Sequence, residues 1–326
     1  MAASMARLGR RAALGAAAGL AMAGTARAQW APARPMRLIV PFPPGGTTDM
    51  LARLTAERLG AALGQPVVID NRPGAAGSVA ADIASKTEPD GQTLFFASIG
   101  TAATNQFLYP AIAHAGEALA EVAGMFALPN MATVAPGSAW RSLGGFIAEA
   151  RARPGALSFG SSGAGSSLHL TGAMLAHRAN IDILHVPYRG AGSMLNELIA
   201  GRISIAFGNI STGIGLVRDG ALRALAVTST ARSPALPETP SFAETLPGFS
   251  ATVWYGLQVP RGTPAAVVTR LNQEANAILA DDAVRGRLAN VGVATMGGSP
   301  ADFSRFIAAE TAQWRAVIRD AGITAE

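Results

Sequence analysis

The sequence predicts an α/β protein built from two doubly wound sheets. Three observations carry this. Short apolar runs alternate with helical patterns for most of the 326 residues. Glycine-rich turns follow several of those runs and open helices. A proline-rich stretch late in the chain interrupts the alternation and offers a crossover between two sheets.

The elements follow in order. Arg37-Leu38-Ile39-Val40-Pro41 reads as a buried strand, with a helix from about Thr47 to Leu63. Val67-Val68-Ile69 is the next strand, followed by a helix from about Ser78 to Lys86 and a strand at Thr93–Ala97. Strands are expected at Met131–Val134, Leu157–Phe159, Ile183–Val186, Ile203–Phe207 and Leu222–Val227. Helices are expected at Ser142–Arg153, Ser166–Arg178 and Ser193–Ala200. Pro234, Pro237, Pro240 and Pro247 exclude regular structure between them. A strand at Val253–Val259 and helices at Pro264–Ala280, Val284–Val291 and Pro300–Ala321 complete the chain, with Pro264 suited to a first helical turn. The expected division is 29–127 plus 250–326 for one domain and 128–249 for the other.

The N-terminus reads as a secretory signal. Arg7, Arg10 and Arg11 precede an apolar stretch from Ala12 to Gly24, and Ala26-Arg27-Ala28 forms a cleavage site. Residues 1–28 are thus a signal peptide cleaved after Ala28, and the mature protein is expected outside the cytoplasmic membrane. Removal of that segment lowers the formal charge from +5 to +1. No cluster of basic and aromatic residues remains to suggest nucleic-acid binding. The chain has no cysteine, which excludes disulfides and thiolate chemistry. Its four histidines show no metal-ligand spacing, so neither a metal nor a cofactor is expected.

Two loops carry chemistry. Pro41-Phe42-Pro43-Pro44-Gly45-Gly46-Thr47-Thr48-Asp49 links the first strand to the first helix. Bare glycine backbone, threonine hydroxyls and a helix N-terminus together make an anion site. Asp49 reads as a cap of the first turn, carried with its loop as a candidate contact. Gly160-Ser161-Ser162-Gly163-Ala164-Gly165-Ser166 repeats the device in the second half, with His169 one turn on. Facing each other, the loops would clamp an anionic group. A third glycine-bearing turn, Tyr188-Arg189-Gly190-Ala191-Gly192, also follows a strand. A serine hydrolase is the enzymatic rival, but no Gly-x-Ser-x-Gly occurs, and no catalytic residue is assigned.

These motifs, in this order, together with Asn71-Arg-Pro-Gly-Ala-x-Gly77, His185-Val-Pro-Tyr-Arg-Gly190, Leu222-Arg-Ala-Leu-Ala-Val227 and Gly262-Thr-Pro264, resemble the solute-binding proteins of tripartite tricarboxylate transporters, the Bug receptors. The resemblance spans the mature chain. It implies a two-domain, Venus-flytrap periplasmic-binding fold with a cleft between the sheets, and a non-enzymatic receptor for a small carboxylic acid: a di- or tricarboxylate, an acidic amino acid or an aromatic acid. The candidate contacts it implies are Gly45, Gly46, Thr47, Thr48 and Asp49 from the first loop, and Ser161, Ser162, Gly163, Ala164, Gly165 and Ser166 from the second. Ser98 and Thr101 after the third strand, Gly190 and Ala191 in the third turn, and Asn209 are further candidates. Relatives often carry Asn-Pro where this chain has Asn105-Gln106. The implied partners are two integral membrane subunits; a sensory receptor with a signalling partner is the alternative use of the same fold.

Overall fold

The computed structural model describes residues 30–109 and 114–324, so the signal-peptide segment lies outside the described residues. Residues from Pro32 to Glu326 cluster as one compact unit. The first half alternates as expected: β1 (Met36–Val40), α1 (Thr47–Leu63), β2 (Val67–Asn71), α2 (Ser78–Ser85) and β3 (Thr93–Ser98). A π-helical turn at Gly100–Thr104 leads into the short helices α3 (Asn105–Leu108) and α4 (His114–Glu117). Then comes β4 (Leu119–Val134), a strand of 16 residues. The second half holds α5 (Leu143–Ala152), β5 (Leu157–Ser161), α6 (Ser167–Ala179), β6 (Ile183–Pro187), α7 (Ala191–Ile199), β7 (Ile205–Asn209), α8 (Ile210–Arg218) and β8 (Arg223–Val227). The chain returns through β9 (Thr252–Pro260) and ends with α9 (Ala265–Ala280), α10 (Asp282–Ala289), β10 (Ala294–Thr295) and α11 (Pro300–Asp320).

The strands form one hydrogen-bonded array in the order β2-β1-β3-β9-β4-β7-β5-β6, with β8 and β10 also paired to β4. Its two flanks are parallel, β2-β1-β3 on one side and β7-β5-β6 on the other. Antiparallel pairing joins them: β9 runs against β3 and against Leu119–Pro129 of β4, while the remainder of β4 pairs with β7 and β8. The long strand is therefore shared by both flanks. Sequence pattern showed only its last four residues. Val122, Ala123, Met125 and Phe126 are all fully buried, and a strand covered on both faces has no alternation to read.

Other departures have similarly local causes. Helix α8 contains Gly213 and Gly215, which weaken its helical pattern, and it was not expected. Pro264 is the N-cap of α9, outside the first turn, whereas Pro300 does occupy the first turn of α11 behind a Ser299–Asp302 capping box. The proline-rich stretch forms only a short 3₁₀ turn at Phe242–Glu244.

The core beneath β9 is aromatic. Trp254 meets Phe303 edge-on at 5.6 Å, and Phe96 stacks on Tyr255 at 5.7 Å. Gly256 follows Trp254 and Tyr255 in the strand, and a Cβ there would come within 2.2 Å of the Phe303 ring and 2.8 Å of the Ala123 carbonyl oxygen. Gly256→Ala is therefore expected to destabilise the protein by about 1–3 kcal/mol through overpacking. Gly286→Ala, inside α10 with nothing within 4 Å of the added carbon, is expected to stabilise it by about 0.5–1 kcal/mol. Urea denaturation of both variants measures the contrast.

Candidate functional site

The connections leaving β1, β5, β6 and β7 converge on a cavity of about 550 Å³. Each opens a helix there: Gly46 is the N-cap of α1, Ser166 of α6, Gly190 of α7 and Asn209 of α8, and all four line the cavity. A helix start presents unpaired N–H groups and a partial positive charge. At Gly46, Gly190 and Asn209 no side chain caps those groups. Of the helices that start elsewhere, α5, α10 and α11 are capped by Ser142, Asp281 and Ser299, while α2 and α9 begin at Gly77 and Pro264 without a side-chain cap. The cavity thus collects main-chain donors left open. Among the described residues Arg189 is the only charged side chain in its lining.

Most of the residues expected from the sequence meet at this cavity. Gly45, Gly46, Thr47 and Thr48 line it from the first loop, Ser98 from the end of β3, and Ser162 and Ser166 from the second loop. Gly190, Ala191 and Asn209 complete the opposite wall. The other candidates lie behind that surface. Asp49 is buried, and both its oxygens are occupied: Oδ2 accepts from the Gly45 N–H at 3.1 Å and from Arg53 at 2.9 Å, Oδ1 from Asn71 at 3.1 Å. Burial alone would raise its pKa, but the bonds from Arg53, Gly45 and Asn71 outweigh this and hold it below the usual value. Asp49 therefore fixes the shape of the loop, with Gly45 at φ 88° providing the turn. Thr101 accepts from the Ser98 N–H at 2.9 Å and supports that turn from outside the cavity.

Ser161, Gly163, Ala164 and Gly165 also stand outside the cavity lining. The same short alternation of Gly and Ser supplies both faces of the loop, and only the backbone angles decide which residue faces inward. Gly163 and Gly165 adopt φ of 122° and 75°. The Gly165 N–H donates to His169 Nδ1 at 3.1 Å, and Ser161 Oγ lies 2.7 Å from His185 Nε2. The two imidazoles stack 3.9 Å apart and rest against Phe159. Burial lowers the pKa of His169 to about 4; burial, then the neighbouring His169, lowers that of His185 to about 3. The Ser161–His185 pair has hydrolytic composition, but Ser161 is fully buried and does not reach the cavity. Among the described residues no three His, Asp or Glu side chains gather at metal-binding distance.

Sequence reasoning missed the site's floor. Tyr255 comes from β9, where it read as one more core residue of a strand. Its hydroxyl accepts from Thr48 Oγ1 at 3.2 Å and from Asn209 Nδ2 at 2.9 Å, which leaves its own proton for an acceptor in the cavity. Burial raises the phenol's pKa and keeps that proton in place. Thr212, in the first turn of α8, was missed with its unexpected helix; its hydroxyl lies 2.6 Å from Thr47 Oγ1, which also meets Ser211 Oγ at 2.8 Å. Phe42, Ile99, Leu168 and Val253 add apolar wall.

Two outcomes test this geometry. Tyr255→Phe strands two buried donors and is expected to cost about 1–3 kcal/mol in urea denaturation. The histidines give a pH signature. Unfolded histidine protonates near pH 6.5, whereas the folded pair stays neutral to about 4 and about 3. Their contribution is complete above pH 6.5 and is lost as pH falls, at about 1.4 kcal/mol per pH unit for each histidine. Denaturation at pH 6 and pH 5 checks this slope, which His185→Asn should reduce by about half.

Residues 51–323 match the family described as "Tripartite tricarboxylate transporter family receptor". Protein BugT of Bordetella pertussis is 36% identical over 294 residues, 89% of this chain and 90% of that protein. The structure of R. palustris Rpa4515 with adipate superposes with a TM-score of 0.87 at 38% identity, covering 90% of this chain and 99% of that one. MatC (Rpa3494) from Rhodopseudomonas palustris with bound malate does so with a TM-score of 0.82 at 29% identity, covering 88% and 99%. With its fold, its ordered motifs and the match over most of its length in agreement, the chain belongs to the receptor family of the tripartite tricarboxylate transporters and has their periplasmic-binding fold.

Proposed function

We propose that the protein is a periplasmic, non-enzymatic receptor that captures a small carboxylic acid in this cavity and delivers it to the integral membrane subunits of a tripartite transporter. The observation that carries the reading is the convergence of four helix N-termini, three without a side-chain cap, on one cavity. Main-chain donors fixed by the fold favour an anion without a buried cation, whose desolvation in the empty protein would be costly. The adipate and malate held by the two related structures support a carboxylate as that anion. Gly45, Gly46, Thr47, Thr48, Ser162, Ser166 and Asn209 are the residues proposed to hold it, with Tyr255 donating from below.

In this reading residues 29–127 plus 250–326 form one lobe and 128–249 the other, and β4 crosses between them. The carboxylate touches loops from both lobes, so it binds the closed arrangement more strongly and shifts the population toward it. Among the described residues no helix is long and apolar enough to cross a membrane, in keeping with delivery to a separate membrane partner.

The test is a thermal-shift screen of the mature chain from Gln29 onward, unfolded and refolded to remove carried ligand. Dicarboxylates, tricarboxylates, acidic amino acids and aromatic acids are compared with their neutral amides. An acid at about 100 times its dissociation constant should stabilise by roughly 2.7 kcal/mol, and its amide should not. Stabilisation only by neutral or cationic compounds would sink the carboxylate reading.

A further inference from the structure

A second cavity of about 420 Å³ adjoins the first. The two share Phe42, Pro43, Ser162 and Arg189 as walls. Among the described residues Arg189 is the only charged side chain lining either one. It is exposed, and no other described residue pairs with it. The outer chamber is otherwise walled by rings, from Pro41, Pro73, Tyr109 and Tyr188.

This chamber is constructed rather than left over. Its floor is the turn Gly74–Gly77, where Ala75 and Ala76 adopt φ of 44° and 49°, a region that residues with a side chain avoid. The turn is tied down: Asn105 Nδ2 donates to the Ala76 carbonyl at 3.1 Å, and a Cβ on Gly77 would lie 2.7 Å from Pro41 and 2.8 Å from Thr101. Across the chamber the Tyr109 hydroxyl donates to the Ala164 carbonyl at 2.9 Å, linking the first half of the chain to the second loop. That bond uses the Tyr109 proton, so what Tyr109 brings to the chamber is its ring. Flat faces of tyrosine and proline, with a guanidinium at the junction, favour a planar apolar group.

We propose that the two cavities form one bipartite site whose ligand is a carboxylic acid with an aromatic tail. The carboxylate sits at the helix starts of the inner chamber, and the tail passes Arg189 to lie against Tyr188 and Tyr109. This assignment rests on the carboxylate reading above and adds the class of the tail. It also gives Gly163 and Ala164, which line only the outer chamber, a place in the complete site.

The experiment is isothermal titration calorimetry on the mature chain, stripped of carried ligand, with 4-phenylbutyrate, butyrate and adipate. The wild type should bind 4-phenylbutyrate at least about tenfold more tightly than butyrate, and Tyr188→Ala should erase most of that difference while leaving butyrate within about twofold. Tyr188 is only half-buried and its hydroxyl supports no other element, so the variant should fold; Tyr188→Phe, which keeps the ring, should retain the preference. Equal binding of the two monocarboxylates, or equal weakening of both by Tyr188→Ala, would overturn the bipartite site and leave the carboxylate reading standing. Binding of adipate without 4-phenylbutyrate would do the same. If none of the acids binds, and the wider panel above stabilises nothing, the carboxylate reading fails and the tail assignment fails with it.

Discussion

A buried anion needs donors, and those the proposed site offers are main-chain N–H groups that exist only because helices begin where they do. Everything else in the structure serves that placement. Strand β1 on one flank and β5, β6 and β7 on the other run in opposite directions, yet the connection leaving each reaches the same cavity and opens a helix within a few residues. A donor of this kind cannot change its protonation state or swing away. Its position is set by the sheet, so the register of the strands is also the geometry of the site.

Around the helix starts a layer of side chains holds the loops without touching the cavity. Asp49 closes the first loop through Gly45, Arg53 and Asn71. His169 and His185 do the same for the second, through Gly165 and Ser161. The two solutions differ in electrostatics. The first uses a charged carboxylate made tolerable by three donors. The second uses neutral imidazoles, His169 accepting from Gly165 and His185 sharing a hydrogen bond with Ser161, and leaves no charge behind the loop. Neither leaves an unpaired charge buried behind its loop.

The parallel flanks and the two principal loops were legible in the sequence because their physics is local. A strand, a glycine turn and a helix start occur within about ten residues, and Gly, Ser and Thr mark the turn. Three things were not legible. Strand β4 lacked a pattern because both of its faces are covered. The inward and outward residues of the second loop share one composition, so Ser162 and Ser166 could not be told from Ser161 and Gly165. Tyr255 reaches the site from a strand some two hundred residues after Thr48, and only the antiparallel return of β9 brings the pair together. Asn71 fell between these cases: the motif it opens was readable, but its two bonds to the first loop, to Asp49 and to the Phe42 carbonyl, are visible only in the fold.

The hydroxyls of Thr47, Ser211 and Thr212 meet at 2.8 and 2.6 Å, and in each bond either oxygen can be the donor. The trio therefore has more than one proton arrangement for a single arrangement of heavy atoms. Turning a hydroxyl costs little beside moving a loop, so the local dipole can reverse while the backbone stays still. At that edge of the cavity the protein behaves as a small polarisable medium, able to answer a negative oxygen or a hydroxyl with the same three residues. The fixed helix starts set the sign of the field, and this adaptable rim decides how finely the field follows the molecule inside it.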